Sequence, residues 1–189
     1  GQFERTIIIV DDYSELNYIE GCTAKSYSTT SLHAGVVEIY VMKNAKCRYT
    51  TIQNWSTDVY NLVTKRSIVE ENGIMEWIDG NIGSKVTMKY PSCILKGDNS
   101  RGNSISIAYA KEGQYLDAGA KMIHLGKNTK SNIISKSMAS SGGQSNYRGL
   151  VKITKKATNS ESKIKCDTII LDEKSTSDTF PTNIVNNKS

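Results

Sequence analysis

The sequence predicts an all-β protein built as a solenoid of stacked coils, and three observations lead to this prediction. Segments that are rich in β-branched residues, or that alternate apolar and polar residues, recur along the chain. Turn-forming residues separate them at intervals of about fifteen residues, longer than the roughly 8–12 typical of sandwich strands. Helical periodicity is almost absent. Quasi-regular turns between short strands favour coils that stack on one another.

The clearest strands combine β-branched content with alternation, and they lie at 36–42, 105–109, 150–154 and 164–170. In the last of these, Ile164, Cys166 and Ile170 share one face because side chains alternate across the pleat. Only the segment 55–68 fits a helix as well as a strand. Turn chemistry is concentrated at 96–99, 111–113, 126–128, 141–143 and 157–160.

The segment 79–97 combines several signals in a short space. It alternates as far as Tyr90, continues through Pro91, which is one of only two prolines, and then presents Cys93. Turn residues bracket it on both sides. We therefore expect one short strand bent at a corner, with a thiol at the bend.

Size and charge restrict the function classes. The chain has 189 residues, 38% of them hydrophobic, which is enough for a single domain with a core. No apolar stretch is long enough to span a membrane, and no secretory signal is visible. The net charge of +5 comes from scattered basic residues, whereas nucleic-acid binding favours a basic stripe with interleaved aromatics. Membrane and nucleic-acid partners are therefore not expected.

The four cysteines, Cys22, Cys47, Cys93 and Cys166, stand alone along the chain. They form no C-x-x-C pair and no Cys/His cluster at zinc spacing. Their even count would allow two disulfides, but a chain of this size without a secretory signal favours free thiols in a reducing compartment. Isolated thiols on an all-β frame suggest sulfur or metal handling, although a lone cysteine is more often a small buried apolar residue.

Short motifs along nearly the whole chain resemble one known family. They occur in the family's order at 1–6, 20–24, 32–34, 53–55, 64–66, 89–95, 121–124, 147–151, 166–167 and 179–181. Together they closely resemble the SufB branch of the SufB/SufD family, which assembles iron–sulfur clusters in the SUF system. The resemblance implies a right-handed parallel β-helix over residues 1–181. A polar tail without a last strand would follow at 182–189, ending before the family's C-terminal helical region.

The resemblance also implies a role and a set of partners. The chain would be a scaffold without enzymatic turnover that accepts persulfide sulfur and iron and builds a transient iron–sulfur cluster, absent from this fragment. Its partners would be SufD through the β-helix, the SufC ATPase through the missing C-terminal region, and a cysteine desulfurase with its sulfur-transfer partner. In isolation, without SufD, the chain would alternatively pair with a second copy of itself. The lysine- and asparagine-rich composition suggests a plastid or apicoplast stroma, with a bacterial cytoplasm as the alternative.

The resemblance makes Cys22 the entry point for sulfur. Its thiol follows Glu20 and Gly21 near a turn, where a glycine allows close backbone approach. A sulfur acceptor works as a thiolate, so we expect a depressed pKa and a nearby cation from Lys25, Lys65 or Arg66. The alternative is an inert thiol beside a turn.

Four further residues take roles from the resemblance. Gln53, Trp55 and Lys65 would line the sulfur-transfer route, where an amide and an ammonium group stabilise anionic sulfur. The alternative is that Trp55 is core and Lys65 a surface charge. Cys166 would be a cluster ligand at the SufD interface, since thiolates suit iron–sulfur chemistry.

Other candidates carry weaker signals. Cys93 is expected to be buried and structural, with a chemical role as the alternative. His33 and His124 lie in apolar strands, where a histidine is more often hydrogen-bonded in the core than bound to iron. Cys47 is flanked by two cations but matches no family requirement.

Two other functions compete with the scaffold. A SufD-like structural subunit would lack much of this cysteine set. A β-helix enzyme acting on polysaccharide would need paired carboxylates at a set separation. The adjacent pairs at 11–12, 70–71 and 172–173 point to opposite faces or lie in turns, and no phosphate-binding G-x-x-x-x-G-K-[ST] motif is present.

Overall fold

The computed structural model describes residues 1–23 and 30–187, and within these ranges the regular structure consists of β-strands without helices. The strands are β1 (Gln2–Val10), β2 (Glu15–Thr23), β3 (Ser31–Val41), β4 (Lys46–Trp55), β5 (Val59–Val69), β6 (Ile74–Gly83), β7 (Val86–Lys89), β8 (Ser92–Leu95), β9 (Arg101–Ala110), β10 (Tyr115–His124), β11 (Lys130–Ala139), β12 (Gln144–Ile153), β13 (Glu161–Ile170) and β14 (Thr179–Val185). In this described part, no helix has the length and apolar character that a membrane span requires.

The strands form two parallel sheets that face each other around a common interior. The first sheet has the order β1-β3-β5-β7/β8-β10-β12-β14, and the second has the order β2-β4-β6-β9-β11-β13. Successive strands alternate between the sheets, so each coil adds one strand to each of them. Every pairing is parallel, which requires crossover connections and matches stacked coils. The predicted all-β parallel solenoid is confirmed.

The turns stack on one another as the sequence predicted. Left-handed backbone occurs in every predicted turn segment, at Asn99, Gly113, Asn128, Ser141 with Gly142, and Asn159. Asparagine tolerates this conformation because its short polar side chain hydrogen-bonds locally. The side chains also bond between coils, since the Nδ2 atom of Asn128 donates to the Oδ1 atom of Asn99 over 3.3 Å.

The corner predicted at the thiol of the segment 79–97 was wrong, and so was the single strand. The segment contains the end of β6, a turn with left-handed backbone at Gly83 and Ser84, and then β7 and β8. β7 and β8 pair with the same neighbours, β5 and β10, and their register is continuous across the two intervening residues. The chain therefore runs straight on, and only the hydrogen-bond ladder is interrupted. The cause is Pro91, which has no N–H group to donate and restricts the residue before it. Cys93 lies on β8 beyond this interruption.

Two other segments were also resolved by the structure. The ambiguous segment 55–68 contains the end of β4, a turn and most of β5, so its strand alternative is correct. At the other end, β14 pairs with β12 as far as Val185. The expectation of a tail without a last strand was therefore wrong for 182–185, where Thr182, Ile184 and Val185 supply β-branched residues.

Candidate functional site

A row of polar side chains crosses the interior face of the second sheet. Each of its residues is the direct ladder partner of the next in the parallel register. We call it the interior polar row, and it consists of Glu20, Thr51, Asp79, Ser106, Ser135 and Cys166. Six parallel strands about 4.8 Å apart make it roughly 24 Å long.

A second row lies two residues further along each strand, on the same face of the sheet. It begins with Cys22, whose ladder partner is Gln53, and Gln53 pairs in turn with Asn81. Cys22 is therefore at the β2 end of the interior and Cys166 at the β13 end. The structure does not bring these two thiols together, and the interior polar row runs between their ends of the sheet.

Two buried lysines from the first sheet meet the interior polar row at its middle. The Nζ atoms of Lys65 and Lys89 each lie 2.8 Å from the Oδ1 atom of Asp79, and all three side chains are at most 2% exposed. Lys65 also bonds the hydroxyl of Thr51 and lies 4.7 Å from the ring centroid of Tyr49. Two ammonium groups against one carboxylate leave this trio with an excess positive charge.

The trio changes the ionisation of its members. Burial alone would raise the pKa of Asp79, but the ammonium groups of Lys89 and Lys65 outweigh it and the pKa is lowered. Burial lowers the pKa of Lys89 to about 8, even though Asp79 opposes the shift. The alternative of a surface role for Lys65 is therefore wrong, because its side chain is buried and ion-paired.

The surroundings of Cys22 differ from the expectation. Burial is the largest cause of a raised pKa, and the carboxylates of Glu20 and Glu4 add to it. A hydrogen bond from Gln53 acts in the opposite direction. The expected depressed pKa was wrong, and Arg66 is not the expected cation because it lies on the exposed outer face of β5. Lys25 lies outside the described residues.

Gln53 and Trp55 both line the interior beside Cys22. The Oε1 atom of Gln53 accepts hydrogen bonds from the Nδ2 atom of Asn61 at 2.9 Å and from Lys89 at 3.1 Å. Trp55 is 8% exposed and its ring packs 4.6 Å from that of His33. The structure thus places Cys22 and Gln53 on neighbouring strands at the β2 end of the polar interior, with Trp55 two residues beyond Gln53 on β4. Lys65 lies nearer the middle of the interior polar row.

Cys166 is exposed on β13, at the edge of the second sheet. Partial burial raises its pKa, and a hydrogen bond with the neighbouring Tyr147 opposes this rise. Of the four thiols, this is the one that a partner reaches most directly.

The weaker candidates are held in place by other contacts. Cys93 is fully buried, and burial raises its pKa to about 12. His33 bonds Asn61 and Glu4, whereas both ring nitrogens of His124 bond hydroxyl groups, those of Thr129 and Ser131. Across the described residues, no group of three or more His, Cys, Asp or Glu side chains is arranged to hold a metal ion.

Sequence reasoning missed most of the polar residues of this interior, among them Asp79, Lys89 and Asn61. A usable signal existed for Lys89. It lies two residues after Thr87 on β7, so both side chains point to the same face of the strand, and both face the interior. Asp79 carried no signal, since its contact with Lys65 depends on which strands face each other.

Comparisons with known proteins agree with the motif resemblance. The family model described as "SUF system FeS cluster assembly, SufBD core domain" matches residues 1–189. The iron–sulfur cluster assembly protein SufB of Bacillus subtilis is 62% identical over 187 residues, and an iron–sulfur cluster assembly SufBD family protein of Staphylococcus epidermidis is 60% identical over the same length. Each match covers 99% of this chain and 40% of the relative. The predicted resemblance is confirmed, and these bacterial relatives give no support to a plastid location.

Proposed function

This chain belongs to the SufB/SufD core-domain family of the SUF iron–sulfur cluster assembly system, and we propose that it acts there as the scaffold subunit on which clusters are built. The observation that carries the proposal is the interior polar row, which ends at Cys166 and begins beside Cys22. Two thiols at the ends of one polar interior suit a protein that takes up sulfur at one place and uses it at another.

Sulfur enters at Cys22 by thiol–persulfide exchange. The Cys22 thiolate attacks the terminal sulfur of a persulfide on a donor protein, a new S–S bond forms at Cys22, and the donor leaves as a thiolate. The donor is a cysteine desulfurase or its sulfur-transfer partner. Because burial and the nearby carboxylates raise the pKa of Cys22, the hydrogen bond from Gln53 is the contact that favours the reactive thiolate.

The interior between the two thiols favours anionic sulfur. Lys65 and Lys89 place an excess positive charge beside Asp79 in the middle of the interior polar row. Ammonium groups in a low-dielectric interior attract an anion far more strongly than they do in water. Trp55 closes the Cys22 end on the side of His33. Gln53, Trp55 and Lys65 are therefore proposed to guide sulfur, and Cys22 and Cys166 to bind it covalently or as a ligand.

The growing cluster is the substrate of this protein, and Cys166 supplies one thiolate to it. Exposed apolar side chains lie on the same face of β13 as that thiol, at Ile164 and Ile170, and Phe180 is exposed on β14, the edge strand of the other sheet. An exposed apolar surface at a sheet edge favours docking of another chain. We propose that SufD, or a second copy in isolation, docks there and completes the ligand set. A SufC ATPase would supply the energy, and the bacterial relatives favour a bacterial setting.

Mass spectrometry after exposure to the desulfurase tests this proposal. The full-length gene product, assembled with its SufC and SufD partners, should gain a sulfur atom on Cys22. Cys22→Ser should abolish the gain of sulfur on this protein, whereas Cys47→Ser, at a buried thiol outside the polar rows, should leave it unchanged. Sulfur that still reaches Cys166 in the Cys22→Ser protein would overturn the proposed order.

A further inference from the structure

Gln53 is the ladder partner of Cys22, and a hydrogen bond from its side chain lowers the pKa of that thiol. The chemistry of this contact depends on which end of the amide group faces the sulfur. The Nε2 end donates a hydrogen bond and stabilises a thiolate, whereas the Oε1 end accepts one and disfavours a thiolate. A glutamine amide turns easily, so its orientation must be fixed by its other partners. Those partners are fully buried.

Lys89 decides the orientation, because an ammonium group can only donate. Its Nζ atom lies 3.1 Å from the Gln53 amide, so the atom it contacts must be the Oε1 oxygen. The same oxygen lies 2.9 Å from the side-chain amide of Asn61, which must therefore present its Nδ2 nitrogen. With Oε1 held from two sides, the Nε2 end of Gln53 is the end that remains for Cys22.

The chain of hydrogen bonds continues away from Cys22 in one direction. Since Nδ2 of Asn61 faces Gln53, its Oδ1 oxygen faces His33 and accepts a bond of 2.8 Å from the Nδ1–H group. The Nε2 atom of His33 lies 3.2 Å from the Oε1 atom of Glu4. His33, Asn61 and Lys89 therefore donate in the direction of Gln53, whose Nε2 atom is the last donor before Cys22. Glu4 is an acceptor at the far end of the path.

Lys89 is itself held in position by the buried trio. Its contact with Asp79 is 2.8 Å, and Asp79 is bound on the same oxygen by Lys65. Only Lys89 of the two lysines reaches Gln53 among the described contacts. The two lysines therefore have different tasks, even though they share a carboxylate.

We propose that Lys89 and Asn61 are positioning residues that lock the Gln53 amide so that its Nε2 atom donates to the Cys22 sulfur. Asp79 anchors Lys89 for this purpose. The proposal rests on the proposed role of Cys22 as the sulfur acceptor, and it assigns residues that do not touch the sulfur a function in making the thiolate. Glu20 and Glu4 raise the pKa of Cys22, and Tyr49 interacts with the same thiol. The other ionisable groups of this interior are His33, Lys65 and Asp79.

The test is the pH profile of Cys22 alkylation in the full-length gene product, followed by mass spectrometry of the Cys22 peptide with iodoacetamide as the probe. Alkylation requires the thiolate, so the midpoint of the profile reports the Cys22 pKa. Lys89→Met should raise the midpoint by about one pH unit, which means about tenfold slower alkylation at a fixed pH below it. Lys89, with a pKa of about 8, loses its charge before the raised pKa of Cys22 is reached. Its neutral amine still has N–H groups to donate to the Oε1 atom, and Asn61 donates to the same oxygen throughout the range.

The Lys89→Met protein is expected to fold, because Lys65 still pairs with Asp79 and the trio becomes neutral. Thermal unfolding checks this. Asn61→Leu is a second variant, of similar size. It removes the Nδ2 donor from the Gln53 oxygen without adding a charge, so the midpoint should rise as well. Lys96→Met removes an exposed lysine that pairs with Glu70 on the surface, and it should leave the midpoint unchanged.

A double variant separates positioning from direct charge. In a Gln53→Leu background the amide is gone, so Lys89→Met should produce no further shift. A shift of equal size in that background would show that Lys89 acts on Cys22 by its charge alone and would overturn the proposal, as would an unchanged midpoint in the folded Lys89→Met protein. None of these measurements needs sulfur transfer, so a correct profile with no sulfur on Cys22 would contradict only the proposed function.

Discussion

The interior of this solenoid has two halves that treat buried side chains differently. The apolar half surrounds Tyr49 and Trp77 and contains Cys47, Met75, Cys93, Leu95 and Met122. The polar half contains Lys65, Lys89, Asp79, Gln53 and Asn61, which are buried to a similar degree. Both halves lie on the same strands. The apolar half lies mostly where the strands of the second sheet begin, and the polar half lies where these strands end.

The difference shows that the ionisation of a thiol depends on its position along the strand as well as on its burial. Cys47 and Cys22 both belong to the interior of the second sheet, on neighbouring strands. Burial raises the pKa of Cys47 to about 11, and no hydrogen bond offsets the rise. At Cys22 the Gln53 amide opposes the effect of burial. A shift of a few residues along the strands therefore separates a thiol whose raised pKa nothing opposes from one that receives an opposing hydrogen bond.

Thiol labelling should show the largest contrast between the halves. A pKa of about 12 reduces the Cys93 thiolate population at pH 8 by about a thousandfold relative to an ordinary cysteine, and full burial slows its reaction further. Maleimide labelling of the native protein at pH 8, located by mass spectrometry, should modify Cys166 and Cys22 first.

The control is the same reaction in concentrated urea, where all four thiols should react at similar rates. Native labelling of Cys93 as fast as that of Cys166 would remove the distinction between the two halves.

The buried trio should give the next largest effect. Asp79→Ala leaves Lys65 and Lys89 buried without a counter-ion, and breaking such a pair costs about 3–5 kcal/mol of the free energy of unfolding. The matched control is Glu70→Ala, which removes a partly exposed partner of Lys96 and should cost at most about 1 kcal/mol. Urea denaturation followed by circular dichroism measures both. Equal costs would mean that water reaches the polar half freely.

Much of the fold could be predicted from the sequence because its signals are local. The turn segments around Asn99, Asn128 and Asn159 were identified correctly, since left-handed backbone favours particular residue types. The interruption at Pro91 was noticed but misinterpreted as a corner. A missing N–H group can be recognised from one residue, whereas the continuous register with β5 and β10 involves residues about 25 positions away.

The candidate site was less predictable because it depends on register and on the facing sheet. Arg66 is adjacent to Lys65 in sequence, yet alternation places it on the outer face, so sequence proximity to a candidate cation was misleading. The contact of Lys89 with Gln53 spans 36 positions and joins opposite sheets. The motif resemblance identified Gln53 and Lys65, but no local pattern could indicate the residues that hold them.

The smallest expected effect is the pH dependence of the free energy of unfolding. It tests the apolar half, because His124 is an ionisable side chain on that side. Burial lowers its pKa from 6.5 to about 4, so the folded protein holds it neutral where the unfolded chain binds a proton. The unfolded state therefore binds more protons between pH 6.5 and 4, and stability falls as the pH falls through this window. The loss between pH 7 and 5 should be about 2 kcal/mol.

His124→Gln keeps a polar group near Thr129 and Ser131 but cannot titrate, so urea denaturation of this variant should be nearly independent of pH from 7 to 5. Carboxylates with lowered pKa, such as Asp79 and Glu161, lose their charge only below this range and do not obscure the result. The same slope in both proteins would show that His124 is protonated in the fold. The apolar half would then tolerate charge as the polar half does, and the contrast between them would rest on the thiols alone.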